Sequence, residues 1–196
     1  VLLTIWTALV LPIVASAQSV RSIEFPVNGP KSFRDDFGDP RGGGTRTHKG
    51  NDIIAAKMTP LVSTINGKVL FIVSPQASWG YEICLIDSEG YQYDYLHVNN
   101  DTPTTDDGKG GEGFAYAPGI VTGASVVKGQ LIGWVGDSGN AENTVPHLHF
   151  EIRDTKTGKV LNPGLFGFSI PDTIPPDIAR LAVYDRRLSM NEQTPK

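Results

Sequence analysis

The chain has 196 residues, 39% hydrophobic and 19% charged, which is the balance of a folded domain with one modest core rather than a disordered segment. Its net charge is −4 and its 17 Lys and Arg are scattered rather than massed, so it has no basic footprint for nucleic acid and no such partner is expected. With 22 Gly and 14 Pro it is turn-rich, as mostly β domains are.

Residues 1–17 form an apolar run ending in Ala15-Ser16-Ala17, the small-x-small pattern of a secretory signal peptide cleaved after Ala17. Export to the periplasm, cell envelope or exterior is expected. The initiating Met and charged start of such a signal are missing, so the reading frame is expected to begin further upstream. An uncleaved segment would anchor the chain in a membrane, but roughly 14 apolar residues fall short of the ~20 that a span needs. Membrane contact is expected only in that case.

Residues 18–45 read as a loop-rich lead-in, with Gly42-Gly43-Gly44 too flexible for a regular element. The organised domain is expected over 46–168. There, apolar or alternating runs separated by turn signals predict strands at Ile53–Ala56, Pro60–Ile65, Lys68–Val73, Tyr81–Ile86, Tyr91–Val98, Gln130–Val135 and His147–Arg153. Asn66-Gly67 between the second and third is a hairpin signal. No long stretch carries a helical period, so the predicted fold class is mostly β, an antiparallel β sandwich or flattened barrel.

Cys84, the single cysteine, lies in an apolar strand and reads as a small core hydrophobe, with no disulfide framework. From Asn99 to Gly123 the pattern lapses into a polar, glycine-rich insertion, either a lid or a disordered loop; its aspartates lack EF-hand spacing. Residues 169–196 begin with a proline-dense linker. The alternation from Ile178 to Tyr184 then reads as the stub of a further β module, or as a strand that docks back.

His147-Leu148-His149 carries the most chemistry. An extended backbone sends alternate side chains to one face, so both imidazoles face one way and Leu148 the other. About a hundred residues earlier, His48-x-x-x-Asp52 offers an imidazole and a carboxylate at an even spacing that shares a face if the stretch is extended. Nitrogen and oxygen ligands of this kind suit zinc. His97 closes the alternating run Tyr91–Val98; a lone histidine is ordinarily structural, but all four histidines of the chain fall at or near predicted strand ends.

Taken together, His48-x-x-x-Asp52, Tyr95-Leu96-His97 and His147-Leu148-His149-Phe150-Glu151-Ile152-Arg153 resemble the lysostaphin/LytM-type zinc endopeptidases that cut peptidoglycan cross-links. The similarity runs over residues 25–166 and includes Asn66-Gly67-Lys68-Val69, Val127–Gly133 and Pro146. It implies the duplicated hybrid motif fold and a peptidoglycan peptide as substrate. It also implies a zinc ion (Zn2+) held by His48, Asp52 and His149, with water in the fourth position and His147 and His97 uncoordinated beside it. His147 or His97 would take the proton of that water. A tyrosine hydroxyl near the transition state is implied as well, with Tyr81, Tyr93 and Tyr95 available. The turn Arg41–Arg46 and the Asn99–Gly123 insertion depart from the compact family form and are expected to border the groove.

Two alternatives compete. A non-catalytic wall-binding or amidase-regulating module on the same fold predicts missing ligands, and none is missing. A lipoyl or biotinyl carrier is suggested by Val127–Gly133, but it needs an acceptor lysine at an exposed turn, for which Lys57-Met58 is the nearest candidate.

Overall fold

The computed structural model describes residues 21–168; the expected signal segment, and the linker and stub from residue 169, lie outside the described residues. Strands form where β-branched and aromatic residues concentrate. In chain order they are β1 (Ser22–Ile23), β2 (Pro40–Arg41), β3 (Arg46–Thr47), β4 (Asn51–Ile54), β5 (Pro60–Val62), β6 (Gly67–Ala77) and β7 (Gly80–Ile86). Then follow β8 (Tyr91–Val98), β9 (Ser125–Val126), β10 (Leu131–Trp134), β11 (His147–Asp154), β12 (Val160–Leu161) and β13 (Gly167–Phe168). Among the described residues, no helix is long and apolar enough to cross a membrane.

Seven strands make one antiparallel sheet in the order β12-β11-β8-β7-β6-β9, with β4 added beside the first half of β11. Strands β5 and β10 pair antiparallel as a second layer, and a bridge from Val98 to Val135 ties the layers together. Ile53, Leu61, Ile83, Tyr95, Ile132 and Phe150 are fully buried between them. Each such side chain contributes about 1.5–3 kcal/mol relative to exposure. The predicted mostly β, antiparallel class is what the chain adopts. Ile23, Phe25 and Val27 from the lead-in are buried in the same core, and β1 pairs in parallel with β13.

Asn66-Gly67 does not close the expected hairpin. Strand β5 pairs with β10, whereas β6 pairs with β7 and β9. A two-residue type I′ turn needs positive φ at both positions, and neither residue has it. The glycine serves close packing instead, because a Cβ there would lie 2.3 Å from the Ile86 carbonyl oxygen. Gly42–Gly44 is also more regular than expected: all three have positive φ and form the tight turn of a small β2–β3 hairpin.

The insertion is fastened rather than loose. A short helix, α1 (Glu112–Ala115), precedes a bridge from Tyr116 to Gly133 of β10. Lys57 Nζ lies 2.7 Å from Asp101 and Asp106 and 2.8 Å from Asp137, so the ammonium supplies the cation of that acidic cluster. A lysine held this way is not the exposed acceptor that a carrier domain requires.

Gly50 sits between the two candidate ligands of the first motif. A Cβ there would come 2.3 Å from the Phe150 carbonyl oxygen. Gly50→Ala is therefore expected to cost about 1–3 kcal/mol through forced backbone displacement. Urea unfolding measures this as a lowered midpoint, and an unchanged midpoint would show that the chain yields there freely.

Candidate metal centre

Strand β11 separates its two faces cleanly: Leu148, Phe150 and Ile152 are buried in the core, whereas His147, His149 and Glu151 are partly exposed on the other side. In the antiparallel register Asp52 of β4 lies directly opposite His149, and opposed residues share a face. The carboxylate and imidazole therefore meet, with His149 Nδ1 2.9 Å from Asp52 Oδ1. His48 is not part of that strand, which begins only at Asn51; it lies on the β3–β4 loop. The loop returns its Nε2 to within 2.9 Å of His149 Nδ1 and 3.1 Å of Asp52 Oδ1.

This triangle fits a small tetrahedral cation. Bonds of about 2.0–2.2 Å in tetrahedral geometry space ligand atoms about 3.3–3.5 Å apart, a few tenths more than the triangle has. The outer contacts fix suitable tautomers. His149 Nε2 donates to Glu151 Oε1 at 3.0 Å, and His48 Nδ1 donates to the Asp36 backbone oxygen at 3.1 Å, so both remaining lone pairs face inward. Arg41 Nη2 spends its two hydrogens on Asp36 Oδ2 at 2.8 Å and Asp52 Oδ2 at 2.9 Å, although it also lies 3.0 Å from His48 Nδ1. That leaves Asp52 Oδ1 to point into the triangle.

Burial opposes ionisation of Asp52, but hydrogen bonds from His149 and His48 outweigh it and hold the carboxyl well below the usual range. Burial likewise opposes charge on His149, yet Asp52 and Glu151 push its pKa up to about 9. The site thus attracts positive charge. A proton on His149 answers that demand, and a bound metal would displace it.

His97 reaches this face by an irregularity. Strict alternation would send it inward with the fully buried Tyr93 and Tyr95. Between β7 and β8 the register instead steps from Glu82 opposite Leu96 to Tyr81 opposite Val98, which leaves His97 as a bulge residue at φ 59°. Such bulges re-aim a side chain. His97 and His147 then stand with ring centroids 5.1 Å apart, both lining the cleft. His97 Nδ1 donates to the carbonyls of Trp79 at 3.0 Å and Ser138 at 3.1 Å, and His147 Nδ1 donates to that of Val145 at 2.8 Å. In each ring Nδ1 is the nitrogen tied to the backbone, which leaves Nε2 as the one available for proton exchange. Burial, followed by the His147 and His149 charges, lowers the pKa of His97 to about 4.

No family model matches the chain. A curated relative, the L-Ala--D-Glu endopeptidase of Bacillus subtilis, is 33% identical over 135 residues, covering 64% of this chain and 35% of its own length. The chain thus spans about a third of that relative. Among solved structures, Helicobacter pylori Csd3 is similar at 26% identity and a TM-score of 0.53, over 74% of this chain and 33% of that one. Lysostaphin in solution is similar at 25% identity and a TM-score of 0.50, over 71% of this chain and 49% of that one. In sequence and fold the described domain is thus similar to lysostaphin/LytM-type peptidase domains.

The His48, Asp52 and His149 site sits in a cleft of about 520 Å³. Sequence reading missed Asp36, Arg41 and Glu151, which orient the inward-facing atoms. Only Glu151 carried a signal, since it follows His149 by two positions on the same strand. The Arg41–Arg46 turn borders the cleft as expected, but no residue of the Asn99–Gly123 insertion does, which corrects that expectation. Nor does any of the three tyrosines: Tyr95 donates to the Val62 carbonyl and Tyr93 to Asp87, both from the core. Cys84 is fully buried, and burial pushes its thiol pKa up, as befits a core residue of the sheet.

Behind the site, Glu82 is 7% exposed. Burial and the Asp94 charge push its pKa from 4.5 up to about 7, despite a hydrogen bond from Trp79 Nε1. A carboxyl raised on folding contributes most stability below its unfolded pKa and loses it as pH climbs through the folded value. Glu82 therefore costs the domain about 3 kcal/mol between pH ~4.5 and above ~7. Glu82→Gln is expected to flatten that decline. Urea unfolding at pH 5 and pH 8 decides it, and parallel pH dependence in both proteins would refute it.

Proposed function

We propose that the protein is an exported zinc metalloendopeptidase that hydrolyses peptide bonds of bacterial peptidoglycan, with residues 1–17 as its signal peptide and 46–168 as its peptidase domain. The observation that carries this reading is the triangle of His48 Nε2, Asp52 Oδ1 and His149 Nδ1, three donor atoms about 3 Å apart and oriented from outside. The similarity to an L-Ala--D-Glu endopeptidase and to lysostaphin supports the choice of substrate.

His48, Asp52 and His149 would hold the zinc. The chemistry supplied there would be a bound water with its pKa lowered toward about 7 and a polarised scissile carbonyl. The chain supplies the proton handling. His147 or His97, each tied to carbonyls through Nδ1–H, accepts the proton of the attacking water at Nε2 and returns it to the leaving amine. The low pKa of His97 keeps that ring an unprotonated acceptor at neutral pH.

Zinc content of the full chain, measured alongside peptide release from isolated peptidoglycan, tests the proposal. One zinc per chain and new amino termini that vanish with chelator are expected. A zinc-loaded protein that opens no peptide bond would overturn it in favour of a non-catalytic module.

A further inference from the structure

The cleft has unlike ends. Its four imidazoles form a row, with His48 packed on His149 at 4.8 Å between centroids and His149 on His97 at 5.9 Å. Beside His48 the β3–β4 segment places Arg46 and Lys49, both exposed and both lining the cleft. Beside His97 and His147 stand Trp79, 43% exposed, and Val145, 63% exposed.

The charges at these ends differ in whether they are already spent. Asp52 is held by Arg41 and two imidazoles, and Glu151 by Arg153 at 3.0 Å and by His149. Arg41 is consumed by Asp36 and Asp52. Arg46 and Lys49 make no ion pair among the described residues, although the Lys49 charge acts on Glu151 at longer range, so the cleft of a chain whose net charge is −4 keeps two cations without a directly contacting carboxylate. Unpaired cations at a concave site draw in anions, and an arginine fork fits a carboxylate in two parallel hydrogen bonds.

We infer that Arg46 and Lys49 form a carboxylate-binding subsite, so that the cleft selects a peptide with a free acidic group near the scissile bond and an aliphatic portion against Trp79 and Val145. This rests on the peptidase reading and adds a specificity to it. Rim charges act mainly on encounter and ground-state binding, so the effect belongs in KM.

The test uses the zinc-loaded full chain and two synthetic stem peptides that differ only in carrying glutamate or glutamine. The wild type is expected to favour the glutamate peptide by about three- to tenfold in kcat/KM. Combined Arg46→Ala and Lys49→Ala should bring that ratio to about one, whereas Arg46→Lys should keep part of it. A second readout needs no turnover: Trp79 emission of the His147→Ala protein, titrated with each peptide, should show the same preference. A ratio that survives in the double variant, or equal affinities for the two peptides, would overturn the subsite. Cleavage of both peptides alike would sink the subsite and leave the peptidase reading standing. Discrimination in the titration without cleavage by the wild type would do the reverse.

Discussion

Alanine at His48 or Asp52 is expected to abolish zinc binding and hydrolysis together. Three atoms define the triangle, and removing one leaves two, too few for the three-ligand arrangement that holds a catalytic zinc with one position open. Even loss of an outer partner that orients a ligand costs 10–100-fold in metal affinity, and loss of the ligand itself exceeds that. Asp52→Ala also strips Arg41 of one of its two carboxylates, so the loop carrying His48 loses a tether. Glu151→Ala, which leaves the triangle intact but takes the acceptor from His149 Nε2, should fall in the 10–100-fold range. Zinc stoichiometry after dialysis and the rate of new amino termini check both statements. A zinc-replete His48→Ala protein with full turnover would dispose of the assignment.

His147→Ala and His97→Ala should separate what the first pair of variants loses together. Neither ring belongs to the triangle; His147 Nε2 lies 3.9 Å from Asp52 Oδ1, and His97 meets His149 only by ring packing. Zinc should therefore remain at one per chain, while turnover falls by about 10²- to 10⁴-fold, the contribution of a positioned acid–base group. His97 also ties the bulge to the Trp79 and Ser138 carbonyls, so its variant needs an unfolding midpoint beside the rate. Retained zinc, a retained midpoint and lost turnover mark an acid–base group. Full turnover in both variants would show that neither histidine moves the proton.

The candidate ligand residues, the strands that carry Asp52 and His149 and the fold class could be read from local pattern, because a period of two and a cluster of ligand-type residues are properties of short segments; the choice of His149 over His147 came from the family resemblance. His147-Leu148-His149 displays its two faces by itself, and seven strands fall where alternation places them. What local pattern left open depends on partners distant in the chain. Asn66-Gly67 has the composition of a hairpin, yet β6 finds β7 and β9 while β5 finds β10, since each strand pairs where its apolar face is best buried. The face of His97 was undetermined for the same reason: a bulge exists only in the register between two strands, and this one turns the ring out of the core. Asp36 and Arg41 carry no motif at all. They orient the site because the lead-in folds back against the loop bearing His48, a contact that chain closure and core packing create and no spacing announces.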